Sequence, residues 1–254
     1  MQCTQNPDFF FSILLFFVGL LFLFKQLTEP AGYGKHVQRK AIQLGVLVPA
    51  KYGWFIQELP SFLVPLLVTL YNQGCDTVGR QMLFFMFCGH YFQRTFIFSS
   101  LTRGSPLPLR IVLLAVVFCT YNGFLQSHCM IYVAAYPHDW YKDIRFTSGA
   151  IVFFLGMGIN VHSDYILRKL RKPSEVTYKI PQGGMFNYVS GANFLGEIVE
   201  WFGYAVATWS LPAFAFALFT LCSIGPRAYH HHRFYHQEFK DYPKERRALI
   251  PFIF

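Results

Sequence analysis

Phe9 to Phe24 reads FFFSILLFFVGLLFLF, a run of 16 residues without a charge. A bilayer span needs about 20 largely apolar residues, and this run with its flanks is read as a transmembrane helix. Asp8 precedes it, Lys25 follows it, and no small-residue cleavage site closes it. It lacks the basic leader of a removable signal peptide and is expected to stay as a first anchor. Further apolar segments lie near residues 54–71, 81–101, 111–135 and 146–162, and a longer one covers 191–225. Ser210-Leu211-Pro212 interrupts the last, and proline removes a backbone donor, so two shorter helices are expected there. The fold class that follows is an all-α integral membrane protein with about seven transmembrane helices.

Composition agrees. Apolar and aromatic residues make up 54% of the 254, well above the share in soluble domains. Thirty Phe and 15 Tyr suit a lipid-facing surface with aromatic residues near the interfaces, although a large aromatic core gives the same count. With a lumenal N-terminus, seven spans put 18 Lys and Arg on the cytosolic side against three opposite, which obeys the positive-inside rule and makes the C-terminus cytosolic. The formal charge of +9 is thereby explained by topology and anionic lipid, and no nucleic-acid partner is expected because no recognition motif accompanies it. Six cysteines, at 3, 75, 88, 119, 129 and 222, form no C-x-x-C pair. Cys3 and Cys75 share the lumenal side, where a bridge is chemically permitted, but none is expected.

Charged groups inside a membrane cost at least about 2.5 kcal/mol each on insertion scales, which makes them functional candidates. Glu58 lies near the start of the second span, His90, Tyr91 and Arg94 in the third, Asn160 and Asp164 at the end of the fifth, and Asn193, Glu197 and Glu200 at the start of the sixth. Asn160 and Asp164, like Asn193 and Glu197, are four apart and share a helix face. A Glu58–Arg94 pair serving only stability is the plainer reading, but so many polar groups argue for a lined, water-accessible cavity. The segment 163–191 is read as a soluble loop, in which Arg168, Lys169, Arg171 and Lys172 either meet phosphates or simply fix topology. No G-x-G-x-x-G or P-loop is present, so any nucleotide is held by helices and loops. His232 and His236 have the spacing of a helical ligand pair, yet no second histidine box or H-E-x-x-H accompanies them, and no metal is expected.

Longer strings are more specific: GYGKH at 32–36, WFIQELPSF at 54–62, HYFQRTF at 90–96, LGMGINVHSDYILRKLRKP at 155–173, IPQGGMFNYVSGANFLGEIVEW at 180–201, HHHRFY at 230–235 and DYPKERRALIPFIF at 241–254. In these the chain resembles the vertebrate steroid 5α-reductases, the 3-oxo-5α-steroid 4-dehydrogenases, from end to end. The resemblance implies an endoplasmic reticulum enzyme that transfers hydride from NADPH to C5 of a 3-oxo-Δ4-steroid, testosterone-like or progesterone-like, with a proton added at C4. Tyr91 matches the family tyrosine that donates to the steroid carbonyl, and Glu58 the carboxyl group paired with it. Asn160, Asp164, Arg171, Tyr178, Asn193, Glu197, Arg227, His231 and Tyr235 match the family's NADPH pocket, with Tyr33 and Arg94 beside it.

The same match implies that residues 1–110 contribute mainly the steroid pocket and 111–254 mainly the NADPH-binding part, with cytosolic loops closing over the cofactor. Its expected partners are steroid and membrane lipid, without an obligate protein partner. The chain departs from the family at Ser105 and Leu114, where the pattern has arginine, and at Phe98, where it has tyrosine. Reduction of another activated alkene, an enoyl-CoA or a polyprenoid, is the nearest alternative. A transport or lipid-binding protein is the alternative from another class.

Overall fold

A computed structural model describes residues 7–29, 45–72, 76–170 and 178–254 of the chain. The helices are α1 (Pro7–Thr28), α2 (Ala50–Asn72), α3 (Val78–Phe92), α4 (Ser99–Leu101), α5 (Leu109–His128), α6 (Ile144–Leu170), α7 (Ala192–Thr208) and α8 (Leu211–Glu238). A π-helical stretch, Gln93–Phe98, joins α3 to α4 without a break, and another, Cys129–Val133, prolongs α5. Two short antiparallel strands, β1 (Leu47–Val48) and β2 (Leu107–Pro108), tie the entrances of α2 and α5 together.

Among the described residues, five helical segments are long and apolar enough to cross a membrane: α1, α2 as far as Tyr71, Leu109–Val133, α6 and α8. The chain is therefore a multi-pass α-helical membrane protein. The α3–α4 stretch and the 17-residue α7 occupy the two other expected positions but fall outside that length and apolarity.

The lipid-facing character is clearest in α1, whose buried residues Asp8, Ser12, Leu15, Gly19 and Gln26 form one helical stripe while Phe10, Leu14, Phe17 and Leu21 point outward. Polar groups on the inner stripe find partners there: Asp8 meets His128 at 3.0 Å, and the Gln26 amide donates to Ser223 O at 2.8 Å. Two ends differ from the sequence expectation. α6 runs to Leu170, so residues 163–170 are helix and not the start of a loop, and α8 runs to Glu238, well beyond residue 225. Nothing in Ser163–Leu170 breaks a helix, and Arg168 and Lys169 suit the negative end of the α6 dipole. The division at 208–211 is as expected, with Trp209 in the left-handed region at φ 49° and Ser210 capping α8.

Three helix pairs dominate the packing: α6 on α7, α2 on α5, and α1 on α8. The first is antiparallel and unusually close. Gly149 and Gly156 on α6 and Gly196 and Gly203 on α7 repeat every seven residues, and a Cβ on any of them would land on backbone atoms of the other helix. Lipid supplies no hydrophobic drive between helices, so small residues that let backbones approach are how such a pair holds. The closeness brings Asn160 against Gly196 and fixes the polar first turn of α7. At the centre, Trp201 and Tyr204 of α7 pack with Phe87 and Tyr91 of α3, Phe153 of α6 and Phe216 of α8.

Candidate functional site

Two polar groups meet inside this frame. The first joins α2, α3 and α5. Glu58 is half-buried, and the Gln57 amide donates to its Oε1 at 3.4 Å. One turn on, the Ser61 hydroxyl donates to Cys119 O at 3.2 Å and reaches the phenol of Tyr91, which also feels the charges of Glu58 and Glu197. Tyr91 is buried, its ring among Phe87, His90 and Trp201.

The second group joins α6 and α7. The Asn160 amide donates to Asn193 O at 2.9 Å, and the Asn193 side chain bonds Asp164. Arg94 links the two groups: from the π-helical stretch its Nη1 donates to Asp164 Oδ2 at 2.9 Å, with its guanidinium 4.0 Å above the Phe98 ring and 5.2 Å from Trp54. The π geometry matters because the wider turn shifts the helix face, and such stretches recur at functional sites. Glu197, half-buried one turn beyond Asn193, acts electrostatically on Glu58, Tyr91, Arg94 and Asp164.

From the other side, Arg227, His231 and Tyr235 lie four apart along α8. Arg227 and His231 both stand 5.3 Å from the Phe194 ring in the first turn of α7, and Tyr235 stacks on Tyr242 at 5.2 Å. Tyr178 approaches the same region through Phe234 at 5.3 Å. The start of α7 is thus flanked by α6 and α8. Tyr33 and Arg171 lie outside the described residues, as do Cys3 and Cys75.

The departures from the family pattern fall in different places. Phe98 seats the Arg94 guanidinium, a role that a ring without a hydroxyl fills equally well. Leu114 is 65% exposed on the outer face of α5, so losing an arginine there removes no contact from either polar group.

Ser61, Gln57 and Cys119 enter the first group without having been singled out in the sequence. Ser61 lies three residues after Glu58, a spacing that places the two on one helix face, but nothing else in the sequence distinguished it. His90 and Glu200 form a buried pair, Nδ1 to Oε1 at 2.7 Å, behind Tyr91. His232 is bonded to Ser190 at 2.6 Å, and Ser190 to Tyr242 at 2.7 Å. Outside the spans, Asp143 is held down to about 2 by its hydrogen bonds from Arg145, which also cap the start of α6.

Comparison with known proteins gives a consistent result. The family model for 3-oxo-5-alpha-steroid 4-dehydrogenase matches residues 105–254. Proteins named 3-oxo-5-alpha-steroid 4-dehydrogenase 2 from Homo sapiens and Sus scrofa are each 56% identical over 256 aligned positions, covering 100% of this chain and 99% of theirs. A 3-oxo-5-alpha-steroid 4-dehydrogenase 1 from Bos taurus is 49% identical over 81% of the chain and 82% of its own length.

Proposed function

The chain belongs to the 3-oxo-5-alpha-steroid 4-dehydrogenase family, and we propose that it reduces the Δ4 double bond of 3-oxo-Δ4-steroids to 5α-products with NADPH as reductant. The observation that carries this reading is the Arg94–Asp164 link. It sets the tyrosine and carboxylate group of α2 and α3 beside the amide and carboxylate group of α6 and α7. Reduction of a bound alkene by a bound nucleotide requires that adjacency.

The donor set suits the nucleotide. Asn160, Asp164, Asn193 and Glu197 offer amides and carboxylates to ribose hydroxyls and a carboxamide, Arg227 offers positive charge to phosphate, and His231 offers a ring N–H beside it. The Ser163 hydroxyl, one residue before Asp164, is buried with no partner among the described residues and adds a donor to that set. Tyr178 and Tyr235 would pack beside it, with Tyr33 and Arg171 taking the roles implied by the resemblance. NADPH, when bound, supplies hydride to C5 of the steroid.

The chain's own groups do the rest. Negative charge grows on the C3 oxygen as C5 is reduced, and Tyr91 donates a hydrogen bond to that oxygen. Such a bond strengthens in the transition state, which is what lowers the barrier. Glu58, sharing that pocket, fixes the carbonyl end. Residues 1–110 then supply mainly the steroid pocket and 111–254 mainly the nucleotide cradle, with Arg94 reaching across the division.

Glu58→Gln is expected to lower turnover strongly while leaving NADPH affinity nearly unchanged, because Glu58 belongs to the carbonyl end. Titration of NADPH into the purified variant, beside its steady-state rate, checks this. A matching loss of NADPH affinity would move Glu58 into the nucleotide site.

We further place the enzyme in the endoplasmic reticulum membrane, as the family resemblance implies, and orient it with the N-terminus lumenal and the C-terminus cytosolic on the Lys and Arg asymmetry of 18 against three. A tag with a glycosylation acceptor appended after Phe254 should stay unglycosylated and protease-accessible in sealed microsomes. Its glycosylation would overturn the orientation.

A further inference from the structure

The last turn of the chain shows its apolar side chains to the outside. Phe252 is 78% exposed and Ile253 77%, with Ile250 and Phe254 exposed beside them. This is not loose chain. The Leu249 and Ile250 N–H groups donate to Phe254 O at 2.7 and 2.5 Å, and the Phe254 N–H donates to Ile250 O at 3.0 Å. Phe252 takes φ +66°, a left-handed conformation that is unfavourable for a bulky residue and persists where the surroundings enforce it.

Leu249 points inward and packs with Ile224 and Ala228 of α8. The preceding residues are stitched to the loop before α7: the Arg247 N–H donates to Tyr188 O at 2.9 Å, the Ser190 N–H to Arg247 O at 2.8 Å, and Arg246 Nη1 to Pro181 O at 2.8 Å. An ordered, strained turn thus buries one side chain and displays the next apolar ones.

The height of the turn says what they meet. α8 has 28 residues, about 42 Å at 1.5 Å each, whereas about 20 residues cross the apolar layer. Counted from Leu211, α8 leaves that layer near Tyr229, and the Phe254 ring stacks on Tyr229 at 6.1 Å and 12°. Counted from Ile144, α6 leaves it near His162. His162 and Tyr188 line one surface groove with the outward-facing Phe154 and Leu155 of α6, and Phe252 stands 5.8 Å from Tyr188. The turn is therefore continuous with the lipid-facing sides of α6 and α8, at the depth where aromatic residues collect in membrane proteins.

We propose that the Leu249–Phe254 turn is a membrane-interface anchor whose Phe252 and Ile253 side chains seat among the phospholipids beside α6 and α8, fastening the segment that closes over the start of α7. Exposed charges just before it cancel, with Lys240, Lys244 and Arg247 against Glu238, Asp241 and Glu245. The attachment accordingly rests on apolar area and not on anionic headgroups.

Phe252→Trp and Ile253→Trp, made separately in the full chain, test this in phosphatidylcholine nanodiscs holding one copy each. Neither position is enclosed, so both variants should fold. The fluorescence gained over the parent is expected to fall at least about twofold when lipid chains are brominated near the headgroup, with little quenching by aqueous iodide. Partial replacement by phosphatidylglycerol should change nothing. Iodide quenching like that of free tryptophan, without a bromolipid effect, overturns the proposal in favour of a solvent-exposed turn. Protection from both quenchers overturns it in favour of a protein contact, and bromolipid quenching only in anionic discs overturns the apolar basis.

Discussion

Tyr91→Phe should slow single-turnover oxidation of NADPH by about 10²- to 10³-fold at saturating steroid, the loss seen when one oxyanion donor is removed elsewhere. The substitution deletes a hydroxyl and leaves the ring, which packs with Phe87 and His90 of its own helix and, through Trp201, holds α3 against α7. If Tyr91 served only packing, the Phe variant would keep nearly full activity. The two roles are separable because ring contacts and hydroxyl contacts go to different neighbours, the latter to Ser61 and the charges of Glu58 and Glu197. Rates for parent and variant are compared after equal folding and equal NADPH affinity have been established. A rate within about twofold of the parent would remove the donor role, since a transition-state bond worth so little does not catalyse.

Gly156→Ala should destabilise the protein by about 3 kcal/mol, at the upper end for overpacked sites. The added Cβ would fall on the backbone nitrogen and Cα of Glu200 and lie 2.7 Å from Gly196 O, so no side chain can swing away to relieve it. The helices must separate, and with them Asn160 from Asn193. Gly158→Ala is the matched control. It lies on the same helix with nothing within 4 Å of its Cβ position, and replacing a helical glycine stabilises by roughly 0.5–1 kcal/mol. Thermal scans by size-exclusion in detergent should show Gly156→Ala far below the parent and Gly158→Ala level with it or above. Equal midpoints for the two variants would show that the α6–α7 contact is looser than described.

What the sequence made legible follows from what membranes demand. Uninterrupted apolar runs located the helices, and Ser210-Leu211-Pro212 located the break, because spans are set by length and proline by chemistry. Helix ends were less legible: Ser163–Leu170 and the stretch beyond residue 225 are polar helix, and hydropathy reports only the part within lipid. Polar residues inside spans pointed to a candidate site, and the structure brings Glu58, Tyr91, Arg94, Asn160, Asp164, Asn193 and Glu197 into one neighbourhood. Ser61 and Cys119 stayed invisible, since small neutral residues in an apolar run carry no cost that marks them. The glycine repeat could have been read from Gly149, Gly156, Gly196 and Gly203, but seven-residue spacing acquires meaning only once α6 and α7 are known to be partners.

The most direct test of the whole account follows one atom. Purified protein in lipid is given a 3-oxo-Δ4-steroid and NADPH deuterated at the reactive nicotinamide carbon, and the product is separated and located by mass spectrometry and NMR. The proposed reduction yields a 5α-dihydrosteroid carrying that deuterium at C5, with ordinary hydrogen from water at C4. Steroid bound without NADPH oxidation, deuterium delivered elsewhere, or turnover confined to a non-steroid alkene would contradict it.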